Sequence, residues 1–467
     1  MKAPLRNILA ILAGDAGSRV IGFIVTVYLA RILLPASFGL INIGLAVLGY
    51  LSLVNSPGIQ ILEARNAAAT EGGLRPRVGA ILSFRVFLTP VLLLAAWGVL
   101  RAAGVGPDAR DVILLYGLSL IPMALSLDWL FQGKEDFRVI TASRLLNALV
   151  FAGFAFALVR TDQDVRMTAI AFLAGNIAAV VYLWVRYTRR FGPPPLGWDF
   201  AAWKGILRDN APVGAAVLLT QSVTNLPPIA IGIFLSNTDA GMYSAAMKLA
   251  FVVLIIDRTL NAFFLPLATR YAVSRKEEYP KLLGVSVKAV VVTLIPLLIS
   301  AWIVAGPAIR VVFGPGYDAA MPLFRVLTAY VFVTMLNSLF VCTLMAFGRT
   351  KEYALVVGAG AIVVCASVIL FTALSGTAGA AWGIVLGETL ILLMLIRAAS
   401  RVTSIPGGPG LLKAGIAGAL MATAAVLLDA AHPVVTLIAA NAVYLGALAA
   451  TGGIPHAEIR YLKERLV

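Results

Sequence analysis

The stretch AVVVTLIPLLISAWIVAGPAI, Ala289 to Ile309, runs 21 residues without a charge. Coiled as an α-helix it is about 30 Å long, the thickness of the hydrocarbon core of a bilayer. Comparable runs recur along the whole chain, separated by turn-prone or charged breaks such as EGGLRPR, QGKED, FGPPPLGW, LSGTAG and SIPGGPG. The chain is 60% hydrophobic and 13% charged, against about 45–50% and 25% in a soluble domain. Too few charges remain to build a polar shell. The expected fold class is therefore all-α and integral to a membrane, with about 14 transmembrane helices, the fourth over 111–131, the seventh over 209–235, the eighth over 241–269 and the eleventh and twelfth over 353–374 and 378–397. The start, MKAPLRNILAILAGDAG, resembles a signal peptide. Its apolar segment continues past Arg19 to Leu34, however, and is long enough to span.

Lys and Arg avoid alternate loops. The breaks after odd-numbered spans carry only Arg31, Arg101, Arg110, Arg160, Arg166 and Arg310. The opposite breaks and both ends hold most of the remaining basic residues. By the positive-inside rule both termini are expected to be cytoplasmic. The net charge of +15 then reflects loops facing anionic lipid rather than a nucleic-acid partner.

The halves of the chain echo each other. LLPASFGLINIGLAV (33–47) aligns with FLSNTDAGMYSAAMKLAF (234–251), pairing Gly39 with Gly241, 202 residues apart. Gly79 pairs with Gly284 and Trp97 with Trp302, each 205 apart, and Gly133 pairs with Gly348, 215 apart. The expected architecture is two six-helix bundles around a central cavity plus two C-terminal helices. The N-terminal lobe is read as 1–190, an interfacial Pro- and Trp-bearing linker as 191–207, and the C-terminal lobe as 208–400. Two additional helices occupy 401–453, and 454–467 reads as a basic amphipathic tail lying on the cytoplasmic leaflet. Pro227 and Pro228, in NLPPIAIG, must break the backbone ladder of the seventh span, which is tolerated where a helix lines a cavity.

Charges inside spans are costly, at least about 2.5–3.5 kcal/mol for a central Arg or Lys. Here they are Arg19, Arg85, Arg144, Lys248, Arg258, Lys288 and Arg325, against Asp15, Asp128, Asp257 and Glu388. Arg85, Arg144, Lys288 and Arg325 lie near span ends, where snorkelling competes with function. Arg19, Lys248 and Arg258 lie deeper. A cation excess facing a cavity suits an anionic substrate, with phosphate or diphosphate the natural match for Arg. Asp15 and Arg19, at i and i+4, can pair. Asp15, Asp257 and Glu388 are the candidates for pairing with these cations or for binding a coupling ion, a proton or sodium. The two Cys and two His form no metal or catalytic cluster, and there is no Walker A loop. No cofactor, metal or enzymatic activity is expected.

GSRVIGFIVTVYLARILLPASFGLINIGLAV resembles the first two helices of Wzx-type polysaccharide flippases, within the multidrug/oligosaccharidyl-lipid/polysaccharide exporter superfamily. DAGMYSAAMKLAFVVLIIDRTLNAFFLPLATRYA is similar to their eighth helix. VVFGPGYDAAMPLFRVL and LMAFGRTKEYALVV are similar to the segments around their tenth. The resemblance implies flipping of undecaprenyl-pyrophosphate-linked oligosaccharide across the bacterial cytoplasmic (inner) membrane by alternating access, for surface polysaccharide such as lipopolysaccharide or exopolysaccharide. A cationic cavity would hold the pyrophosphate. Arg19 and Lys248 match basic residues of these helices by position, whereas Arg85, Arg144, Arg258, Lys288 and Arg325 are carried over on depth alone. Implied partners are the lipid-linked oligosaccharide, membrane lipids and the polysaccharide polymerase machinery. The alternatives are a lipid II flippase of peptidoglycan synthesis, which SRVIGF also resembles, and a cation-coupled multidrug exporter of the same fold. The latter would favour acids over bases in its spans.

Overall fold

The computed structural model describes residues 2–69, 74–195, 197–405, 409–428 and 432–453. The basic tail expected at 454–467 lies outside them. Every regular element described is helical. Among the described residues ten helices are long and apolar enough to cross a membrane. Two compact units divide at Gly241 and Met242.

In the first unit α1 (Lys2–Ile32) and α2 (Pro35–Asn55) are followed by the short α3 (Ile59–Ala69) and by α4 (Leu74–Ala102). The span expected over 111–131 is broken into three pieces, α5 (Pro107–Gly117), α6 (Leu120–Ala124) and α7 (Asp128–Gly133). Pro122, with no N–H to donate, sits among Ser119, Ser126 and Gly117 and denies this stretch a continuous ladder. Carbonyls at the second break accept from side chains of neighbouring helices. Arg85 of α4 donates through Nη1 to Ser126 O (3.0 Å) and through Nη2 to Met123 O, and Trp184 Nε1 donates to Leu125 O (2.9 Å). Trp184 belongs to α9 (Val165–Phe191), which packs along α8 (Phe137–Leu158).

The helix expected to open the second lobe, α10 (Phe200–Phe234), makes its packing contacts with α2, α3 and α4. Asp199 caps its start by accepting from Ala202 N at 2.9 Å. Glycines let its backbone approach α2. A Cβ on Gly58 would lie 2.6 Å from Asn210 O, and one on Gly214 2.6 Å from Pro57 Cβ. Gly39 and Gly241, the pair matched by the internal repeat, meet each other. A Cβ on Gly39 would fall 2.7 Å from Gly241 N.

The second unit carries most of α11 (Asn237–Val253), then α12 (Ile255–Ser274), α13 (Tyr279–Ile303), α14 (Ala305–Phe313) and α15 (Ala320–Ala346). α16 (Thr350–Ala399), α17 (Pro409–Leu427) and α18 (Pro433–Ala450) complete it. The single span expected over 241–269 is divided at Leu254 into α11 and α12. The two spans expected at 353–374 and 378–397 both fall in α16, which turns at Ser375 and Gly376, the latter at φ 66°. There the chain folds back as an antiparallel hairpin. Cβ atoms on Gly379, Gly383 and Gly387 would lie 1.8 Å from Phe371 O, 2.9 Å from Ser367 O and 2.6 Å from Val364 Cγ2. Ser367 Oγ closes the seam by donating to Gly383 O at 2.9 Å. Glycine at every fourth position is what lets two helices touch backbone to backbone in a bilayer.

This seam has a direct test. Gly383→Leu should destabilise the protein by roughly 3 kcal/mol or more through overpacking. Gly358→Ala, with nothing within 4 Å of its added Cβ, should change stability by less than about 1 kcal/mol. Melting of the detergent-solubilised protein would show a large downward shift for the first variant and almost none for the second.

Candidate functional site

A cavity of about 750 Å³ opens within the first unit. α1 contributes Ser18, Arg19 and Gly22, and the end of α2 contributes Ser52, Asn55 and Ser56. α4 supplies Arg85, and the broken fourth span supplies Met123, Ser126 and Asp128. α8 presents Arg144, Asn147 and Phe151, and α9 presents Phe172 and Asn176. Val217 brings α10 to the rim. Among the described residues three arginines face one carboxylate, so this lining is net positive.

The arginines differ in how they are held. Arg19 and Arg144 are exposed to the cavity space. Arg85 is 4% exposed, and two of its nitrogens are committed to the carbonyls of the helix break. Its Nε is buried without a partner among the described residues. Asn55 Nδ2 braces the same place, donating to Arg85 O (3.0 Å) and to Thr89 Oγ1 (3.1 Å). Asp128 lies close enough for its charge to act on Arg85, and its Oδ2 accepts from Ser126 Oγ at 3.0 Å. Arg85 thus holds the floor of the cavity, while Arg19 and Arg144 present exposed side chains along its wall.

At the rim α10 is fastened to α3. Glu63 is fully buried and accepts a bidentate pair from Arg77, Nη2 to Oε1 at 2.6 Å and Nε to Oε2 at 3.1 Å. Asn210 Nδ2 donates to the same Oε1 at 3.1 Å. Burial alone would raise this carboxyl. The hydrogen bonds from Arg77 and Asn210 outweigh it and leave Glu63 below its ordinary value.

Residues 5–271, a stretch containing every residue of this cavity, match the family described as polysaccharide biosynthesis protein. The chain belongs to that family. Among curated relatives, an O-antigen transporter of Escherichia coli (strain K12) is 20% identical over 84% of this chain and 96% of its own length. The succinoglycan biosynthesis transport protein ExoT of Rhizobium meliloti (strain 1021) is 22% identical over 86% of this chain and 79% of its own. Among solved structures, the lipid II flippase MurJ in an inward closed conformation superposes with a TM-score of 0.77 at 12% identity. It covers 94% of this chain and 98% of that one. The likeness establishes a shared fold, and the long apolar helices make this a multi-pass membrane protein.

Of the cations singled out by sequence in this family member, Arg19, Arg85 and Arg144 line this cavity. The others occur in the second unit. Lys248 is half-buried on α11. The stem of Lys288 packs on α17, where a Cβ on Gly410 would meet its Cε at 2.9 Å. Arg325 sits 5.7 Å from the centre of the Trp302 ring, with Nε donating to Trp302 O at 3.4 Å. The side chains of Asp15 and Arg258 lie outside the described residues. Glu388 is buried and accepts from Asn337 Nδ2 at 2.7 Å. Asp257 accepts from Asn261 Nδ2 at 3.0 Å. The amides Asn55, Asn147 and Asn176 were not legible as site residues. The available signal was periodicity, since Asn147 follows Arg144 by three positions and shares its helix face.

The Glu63 latch carries a pH signature. A carboxyl held low by its partners stabilises the fold fully at neutral pH and loses that contribution as pH falls through its lowered value. Glu63→Gln should therefore cost roughly 1–3 kcal/mol at pH 7. The gap to the native protein should close as pH is lowered into and below the usual carboxylate range, as read from melting curves across pH.

Proposed function

We propose that this protein is a flippase carrying a lipid-linked oligosaccharide, of the undecaprenyl-diphosphate type, across the bacterial inner membrane for surface polysaccharide synthesis. The observation that carries this reading is the cavity in which Arg19 and Arg144 stand exposed, with Asp128 the one carboxylate lining it among the described residues, in a chain of the polysaccharide biosynthesis family. A diphosphate is the anion that two guanidinium groups grip best, through paired, charge-assisted hydrogen bonds. The names of the relatives support transport as the activity, and the basic loops support cytoplasmic termini. The cavity would receive the diphosphate from one membrane face and release it to the other by alternating access. The superfamily's multidrug exporters are the weaker reading, because a site for cationic drugs calls for carboxylates and this wall is positive.

Each exposed arginine should contribute a charged hydrogen bond worth about 1.5–3 kcal/mol, which corresponds to roughly a 10- to 150-fold loss of transport on its removal. Arg19→Ala and Arg144→Ala should reach the membrane at normal levels yet fail to restore polysaccharide in a deletion strain, with lipid-linked units accumulating inside. Arg144→Lys should restore part of it, since charge remains and the bidentate grip does not. A deletion strain that makes its polysaccharide normally, with no accumulated intermediate, would refute the reading.

A further inference from the structure

The wall that α8 and α9 build is chemically graded. Arg144, Asn147 and Phe151 stand at i, i+3 and i+7 on one face of α8, and all three line the cavity. Opposite them, Phe172 and Asn176 stand at i and i+4 on α9. Moving along the helix pair from Arg144, the lining changes from cation to paired amides to rings. Each step is about 4.5–6 Å for three to four residues of helix. A sugar ring esterified to a phosphate stands off from it by about one such step.

The amide pair is not built as a structural clamp. Asn147 Nδ2 reaches Asn176 Oδ1 at 3.4 Å, the long limit of a hydrogen bond, and both side chains are only half-buried. The buried amide of the second unit, Asn337, binds Glu388 at 2.7 Å by contrast. This is the one hydrogen bond of the Asn147 side chain among the described residues, so a carbonyl and an N–H remain to serve a ligand. Asn176 is aimed by its own Nδ2, which donates to Phe172 O at 2.9 Å. The rings are held as well. Phe172 lies edge-to-face with Phe151 at 5.7 Å and tilted on Tyr116 at 5.7 Å. Tyr116 is locked by a 2.8 Å hydrogen bond to Thr168. Gly175 brings the two helices this close, since a Cβ there would lie 2.8 Å from Asn147 O and 3.1 Å from Phe151 Cβ.

Amides paired beside aromatic rings suit a sugar, with donors and acceptors for hydroxyl or acetamido groups and an apolar face for its C–H groups. We infer that Asn147 and Asn176, backed by Phe151 and Phe172, form a subsite for the first sugar of the lipid-linked substrate, next to the diphosphate held at Arg144. They would be specificity-determining residues for transport. This rests on the flippase reading and adds to it where in the cavity the saccharide is read.

The test uses the full-length protein in nanodiscs and measures affinity by ligand-induced quenching of tryptophan fluorescence. The probes are undecaprenyl diphosphate, bare or carrying N-acetylglucosamine, glucose or galactose. The native protein should bind at least one glycosylated probe about tenfold or more tighter than the bare one. Asn147→Ala with Asn176→Ala should bring that probe down to the bare affinity and leave the bare probe unchanged, whereas Arg144→Ala should weaken all probes alike. If the double variant does not fold, Asn147→Ser alone makes the same comparison. Sugar discrimination that survives the amide variants, or an equal loss on bare and glycosylated probes, overturns the subsite. A native protein that binds the bare probe without distinguishing sugars overturns the subsite and leaves the flippase reading standing. One that binds no probe at all overturns both.

Discussion

The hydrogen bonds from Arg85 to the carbonyls of Met123 and Ser126 are the interaction on which the cavity depends. Within a bilayer, a helix that breaks leaves backbone groups that water cannot satisfy. The fourth span breaks twice, at 118–119 and at 125–127, and the guanidinium of Arg85 with the indole of Trp184 takes up carbonyls at the second break. With those groups satisfied, a non-helical floor can sit at membrane depth, and Asp128 is held beside it. The same Arg85 backbone is braced by Asn55, so the end of α2 and the floor are positioned together.

Around that floor the walls come together through residues that lack side chains. Gly58 and Gly214 let α10 lie against the end of α2, and Gly175 lets α9 approach α8. Where lipid tails are as apolar as leucine, close backbone contact and buried hydrogen bonds do the work that the hydrophobic effect does in water. The Glu63–Arg77–Asn210 network adds a polar fastening at the rim of the first unit, where α10 meets α3. The α16 hairpin of the second unit applies the glycine device three times in succession.

The two exposed arginines and the buried one illustrate how a membrane protein uses the same residue type for opposite ends. Arg85 commits both of its terminal nitrogens to the protein's own backbone and supports the architecture. Arg19 and Arg144 are exposed and line the cavity. Sequence depth did not separate them, since Arg85 and Arg144 lie equally near a span end. What separates them is whether a broken helix happens to be within reach.

Much of the fold was legible because the bilayer imposes it. Apolar runs of about 20 residues, the breaks between them and the paired glycines of the repeat are properties of the chain alone. Gly376 at the turn of α16 shows how directly such punctuation translates into geometry. The excess of intramembrane cations was also written in composition, and it stands out because a charge costs too much in hydrocarbon to be kept without a partner or a purpose. The assignment of α10 to the contacts of the first unit, the break that recruits Arg85, and the meeting of Arg144 with Asn147, Asn176 and Phe172 on one wall were decided by tertiary structure. They depend on which helix faces meet, and residues far apart in sequence come within hydrogen-bonding distance only when glycine-lined helices have packed.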